Sequence, residues 1–301
     1  MMRRIVIPTL CLAVLCLGAV PALSASALSH LYPGTVNALE DNDWESVLKG
    51  DGDRFLEVGE YLVGMLEIQT FRDEWGTDTY TPTWPEQTVV AVFALEVAKI
   101  TAIGSNFLYE FGAMDKDLWD TLTDSTNQNL GLTDPVADGT VGIVFSDGSN
   151  PYVDQTVSDS EADSLATALD GDKLWEIGFT GNGSNEFWTT LTNSMDINQL
   201  FLLQVRVSLN ATHYYNPSIK LLNHSHLWDG VADAINPAGT YAFTNIHGYG
   251  GLSSINNGVW DISTDTDFFL YPTPEPGSIA LLGLGLVACG GMIYRRRKNS
   301  A

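Results

Sequence analysis

The chain has 301 residues, 14 Lys+Arg against 37 Asp+Glu and a formal net charge of −23, with 45% hydrophobic residues. That acidic balance excludes binding to nucleic acid through a basic surface, and the hydrophobic share excludes a chain too polar to fold. All three cysteines (Cys11, Cys16 and Cys289) lie near the ends, which excludes a disulfide-stapled scaffold for everything between.

In chain order, Met1 to Arg4 supplies a positive start and residues 5–20 an apolar run broken only by Pro8, Thr9 and Gly18. Ala25-Ser26-Ala27 follows as an A-x-A site, so residues 1–27 read as a secretory signal peptide cleaved after Ala27. A lipoprotein signal is disfavoured, because Leu10 and Leu15 precede the two cysteines where a small residue is needed. The exported domain then runs from 28 to 271. Residues 28–273 carry 8 basic and 36 acidic residues, a net of −28, which repels nucleic acid, anionic headgroups and acidic polysaccharides. Its length is sufficient to bury a core without staples.

Strands are expected at 61–71, 89–100, 140–145, 174–179 and 240–246, with two short ones around Trp260 and Phe268. The cleanest is 201–209, where Phe201, Leu203, Val205, Val207 and Leu209 share one face and Gln204, Arg206 and Ser208 the other. Asp147-Gly148, Asn182-Gly183 and Asn257-Gly258 supply turn chemistry between them. One helix has a mechanism: Ser160 can cap it, Asp163 sits three residues on, and Ala162, Leu165, Ala166 and Leu169 form a stripe. The pattern predicts a mainly β fold, an antiparallel β-sandwich of jelly-roll type with one or a few short helices. A partial repeat relates Leu108-Tyr-Glu-Phe-Gly112 to Leu174-Trp-Glu-Ile-Gly178, and residues 117–125 to 186–194. Two copies are too few for a solenoid.

No catalytic constellation stands out. There is no Gly-x-Ser-x-Gly elbow, no cysteine in the exported domain, and no Walker or dinucleotide loop. Carboxylates for a glycosidase are abundant, but abundance alone singles out none. His224-Ser225-His226 is the only His-x-His, and it reads more simply as a polar loop than as a metal site. Acidic pairs such as Asp41/Asp43, Asp51/Asp53, Asp115/Asp117 and Asp265/Asp267 could supply oxygens to a structural calcium. No EF-hand pattern is satisfied, so no metal residues are assigned and no other cofactor is expected. All eight tryptophans fall in the exported region, where core packing is their default. Trp75 and Trp84 flank the Thr/Pro stretch GTDTYTPTW and are the candidate ligand contacts.

The tail carries the strongest signal. Residues 278–294 are 17 uncharged residues, giving a helix of about 25 Å, a little short of the roughly 30 Å hydrocarbon core. Arg295, Arg296, Arg297 and Lys298 would hold the end on the cytoplasmic side. A plain membrane anchor needs only those two parts, yet Pro274-Glu275-Pro276-Gly277 stands directly before the run.

With those three parts in that order, residues 272–301 resemble the PEP-CTERM sorting signal. The resemblance implies a Gram-negative bacterium whose exosortase, a membrane cysteine protease, recognises and processes the tail. Pro274, Glu275, Pro276 and the basic residues 295–298 would be the sorting elements, and a link to exopolysaccharide and biofilm is also implied. The expected partners are the secretion machinery, the exosortase and exopolysaccharide, with no nucleic acid. The expected role is a non-enzymatic one in the envelope or extracellular matrix; a carbohydrate-binding β-sandwich assisted by calcium is the alternative, and an exported glycosidase comes third.

Overall fold

The computed structural model describes residues 37–48, 55–73, 76–81, 88–115, 119, 136–147, 168, 171–180, 186–196, 204–215, 220–221, 225–226, 243–255 and 262–273. In chain order the strands are β1 (Asn37–Leu48), β2 (Tyr61–Arg72), β3 (Asp78–Tyr80), β4 (Thr88–Ile103), β5 (Asn106–Ala113), β6 (Thr140–Asp147), β7 (Asp172–Gly178) and β8 (Phe187–Thr192). They continue with β9 (Gln204–Asn210), β10 (Thr212–Tyr215), β11 (Lys220–Leu221), β12 (Ser225–His226), β13 (Phe243–Thr244), β14 (Ile246–Ile255), β15 (Ile262–Leu270) and β16 (Pro272–Thr273). Among the described residues, helical backbone is confined to Trp119 and Ala168. The expected mainly β, antiparallel class is therefore what the described residues adopt.

Twelve strands form one sheet in the order β10-β7-β6-β4-β5-β8-β9-β14-β15-β1-β2-β3, and an additional β4–β2 pairing joins distant members. Following the hydrogen bonds from β4 through β5, β8, β9, β14, β15, β1 and β2 returns to β4, so eight strands make a closed circuit. The sheet curls on itself, and its pairing does not divide it into two separate jelly-roll layers. The hinge is β4. Its residues 88–93 pair with β6 and residues 95–103 with β5, while 90–96 pair with β2 on the opposite edge. A register shift between Val97 and Lys99 marks a bulge within the β5 pairing, just beyond Glu96, the last residue that pairs with β2.

The burial of β4 explains its composition. Val89, Ala91, Phe93 and Leu95 enter one cluster with Phe71, Phe111, Trp188, Ile246 and Leu270. Val90, Val92 and Ala94 enter a second with Val63, Met65, Trp119, Phe145 and Ala168. A strand buried on both faces has no polar side to alternate with, so it reads as a continuous apolar run. Close by, Lys173 and Glu176 form an ion pair of 2.8 Å in which Glu176 is buried and Lys173 partly so. Glu176 also accepts from the Ala137 N–H at 2.8 Å, so its charge is met by more than one donor.

The remaining sequence expectations divide cleanly. Strands were expected at 61–71, 89–100, 140–145 and 174–179, and β2, β4, β6 and β7 occupy those places. The strand expected at 201–209 is β9, described from Gln204. The capped helix near Ser160 falls mostly outside the described residues, but Ala168 is helical and 2% exposed. The signal peptide and the 278–294 helix lie outside them. Among the described residues, no helix is long and apolar enough to cross a membrane.

Candidate functional site

Among the described residues, a groove of about 430 Å³ is lined by residues of β1, β2 and β15 and the turn after β2. That volume falls in the roughly 300–1,000 Å³ range of small-molecule sites. Register builds it. Ala38 of β1 lies opposite Phe269 on β15 and opposite Arg72 on β2. Because Ala38 is small, it leaves an open floor between a ring on one side and a guanidinium on the other. Glu40, two residues along the same face of β1, completes the floor.

Arg72 is held in place by two carboxylates, Glu40 at 2.7 Å and Asp78 at 2.9 Å. The rim is the β2–β3 turn, where the Gly76 N–H donates to the Asp73 carbonyl at 2.9 Å. The Thr77 N–H donates to Asp73 Oδ1, also at 2.9 Å. Gly76 has φ of 73°, a left-handed conformation that a side chain disfavours, so this residue type sets the turn.

The opposite wall is aromatic. Phe269 stacks with His247 at a centroid distance of 5.1 Å and 17°, and with Tyr249 at 5.3 Å and 16°. His247 pairs directly with Phe269 across β14 and β15, and Tyr249 with Asp267. Tyr249 is 49% exposed, one of few large apolar side chains so open among the described residues. The alternate positions, Gly248 and Gly250, lie against β15. A Cβ on Gly250 would stand 1.9 Å from the Asp265 carbonyl oxygen. Glycine there allows the two strands their close approach.

The electrostatics are one-sided. Among the described residues, Glu40, Asp73 and Asp267 line the groove against one lining cation, Arg72, while Asp78 pairs with Arg72 from outside and Asp265 acts on Asp267. Burial pushes the Asp267 carboxyl above its ordinary 3.8, and the neighbouring charges of Glu40 and Asp265 push it further, against the opposing effect of Arg72. The groove can therefore accept hydrogen bonds and attract positive charge while offering one donor and an apolar wall.

The sequence pointed to parts of this site and missed others. Trp75 and Trp84 lie outside the described residues, although Asp73 and Gly76, chain neighbours of Trp75, line the groove. Asp265/Asp267, noted as a pair, is brought beside Glu40, whereas Tyr249 and Phe269 were not singled out. The available signal was His247-Gly-Tyr249-Gly, aromatic residues alternating with glycine, which marks an open face over a closely packed one. Trp119, Trp175 and Trp188 are 1%, 3% and 7% exposed, so these three belong to the core. His226 lies in β12 and His224 outside the described residues. Among the described residues, no three His, Cys, Asp or Glu side chains gather closely enough to hold a metal. Cleavage positions Ala25 and Ala27 and the sorting residues from Pro274 onward also lie outside.

Residues 272–298 match the family model of the PEP-CTERM protein-sorting motif. This motif implies an exported protein targeted to an exosortase, with its C-terminal tail in the membrane before processing. No curated protein and no solved structure matches the chain.

Proposed function

We propose that the chain is a non-enzymatic protein of the cell envelope or extracellular matrix of a Gram-negative bacterium, working with the exopolysaccharide of its host. The observation that carries this reading is the sorting motif at 272–298. The signal-peptide pattern at the other end of the sequence and the strongly acidic domain between agree with it. A protein with that charge stays soluble outside the cell and avoids anionic surfaces. The sequence offers no nucleophile elbow or nucleotide loop to argue for catalysis.

The reading is tested by tagging the exported domain and fractionating cells with and without exosortase. Removal of the tail and release from the inner membrane are expected only when the enzyme is present. Replacing Pro274, Glu275 and Pro276 together with alanine should leave the full-length form in the membrane. Identical size and fractionation in all three strains would sink the proposal. The groove favours a second reading, a carbohydrate-binding β domain, because an aromatic wall facing hydrogen-bonding groups is how a polar ring with apolar C–H faces is held.

A further inference from the structure

We propose that the groove between Phe269 and Arg72 binds a polysaccharide whose pyranose rings carry free ammonium groups, a glucosamine-type polymer. The charge balance points to a cation, since three carboxylates, Glu40, Asp73 and Asp267, line the groove against one guanidinium, and Asp265 adds its charge beside Asp267. Arg72 already contacts Glu40 and Asp78, so the charge left for a ligand to meet is centred on Asp265 and Asp267. Burial is the largest cause of the upward push on the Asp267 carboxyl, and Glu40 and Asp265 add to it; a bound ammonium would offset their contribution.

A bare metal ion suits this site poorly. Arg72 occupies the groove with its own positive charge, and one wall is a hydrocarbon ring that supplies no oxygen. An organic cation uses both features. Phe269 is braced on its β14 side by His247 and Tyr249, making it a fixed apolar surface for the C–H face of a sugar. The carboxylates accept from ammonium and hydroxyl groups, and Arg72 donates to a hydroxyl or ring oxygen. A simple alkylamine would leave both the wall and the donor unused. Tyr249, half-exposed beside the groove, continues the aromatic surface outward, so a further residue of a polymer has something to rest on. Its ring also attracts a nearby ammonium.

The assignment rests on the glycan-facing reading above, but the two fail separately, because tail processing is read in cells and sugar binding on the purified protein. The full chain in detergent is titrated by calorimetry with a glucosamine hexamer, an N-acetylglucosamine hexamer and hexalysine, with and without a chelator. Saturable binding of the glucosamine hexamer is expected, about tenfold or more tighter than the acetylated hexamer and than hexalysine, and unchanged by chelation. Asp267→Asn should weaken it about tenfold, and Tyr249→Ala about three- to tenfold. Circular dichroism of both variants should match the parent. Absence of saturable binding, equal affinity for hexalysine or the acetylated sugar, or abolition by the chelator would each overturn the assignment. So would full affinity in the Asp267→Asn protein, which changes one partly exposed carboxyl without altering its size.

Discussion

Glu45 shows how a single side chain can set the pH response of the fold. It lies on β1 opposite Gly64 of β2, and its Oε1 accepts from the Thr264 hydroxyl at 2.7 Å. Its other oxygen, Oε2, is buried with no hydrogen-bond partner. Burial pushes this carboxyl up from 4.5 to about 7, against the lowering effect of the Thr264 hydrogen bond. The folded state therefore holds a proton that the unfolded chain has released between pH 4.5 and 7. Stability contributed by protonated Glu45 is complete below 4.5 and is lost as pH rises to about 7, a loss on the order of 3 kcal/mol. Glu45→Gln keeps an oxygen for Thr264 and removes the titration. Urea unfolding of variant and parent should agree most closely near pH 4, with the variant more stable near pH 8. A pH-independent difference between the two proteins would disprove the role given to Glu45. Nothing in the local sequence Asp-Trp-Glu-Ser announces this, because burial of one glutamate depends on strands brought in from far along the chain.

Strand identity follows the same logic at the next scale. The apolar density of β2, β4, β6 and β7 is enough to reveal them, since each carries β-branched and aromatic residues into one or both clusters. In contrast, β1 reads as an acidic stretch, with Glu40, Asp41, Asp43 and Glu45 inside it. It is a strand because β2 pairs with it from Ala38 to Leu48 and β15 covers its other edge. A bulge lies in that pairing. Glu40 faces Thr70 and Asp41 faces Ile68, so Gln69 is the extra residue and Ile68 and Phe71 both reach the core. The partial repeat divides for a related reason: residues 108–112 and 174–178 lie in β5 and β7, but Trp119 has helical backbone whereas Trp188, its counterpart, lies in β8. Pairing context decides between them. The same dependence makes β14 vulnerable at one position. A Cβ on Gly250 would press on the backbone of Asp265 and Thr266, at 1.9 and 2.6 Å, and backbone cannot swing aside as a side chain can. Gly250→Ala should cost about 1–3 kcal/mol, as overpacking does. It should also disturb the neighbouring Tyr249–Phe269 stack, lowering both the urea midpoint and the near-ultraviolet dichroism of the aromatic residues. An unchanged midpoint would mean the strands separate freely there.

Over the whole molecule, the dominant physical fact is charge. With a net of −28 over residues 28–273, the folded domain confines like charges that the unfolded chain can spread apart. This imbalance was legible from composition alone. Where it concentrates was not, because Glu40, Asp78 and Asp267 are far apart in sequence and meet only when β15, β1, β2 and β3 lie side by side. Screening tests whether the repulsion matters. Raising ionic strength from 0.01 to 0.1 M shortens the Debye length from about 30 Å to about 10 Å, which removes repulsion across the sheet while sparing contact pairs. The Arg72–Glu40 and Arg72–Asp78 pairs are partly exposed, so their weakening subtracts little. The urea midpoint of the full chain should therefore rise with sodium chloride over that range. Magnesium and calcium chloride at matched ionic strength separate general screening from a bound ion. If the acidic surface is only a diffuse field, the three salts raise the midpoint alike. A further rise specific to calcium would instead reveal a site among the acidic loops. A midpoint that falls with sodium chloride would show that attractive pairs outweigh the net repulsion, reversing the argument from composition.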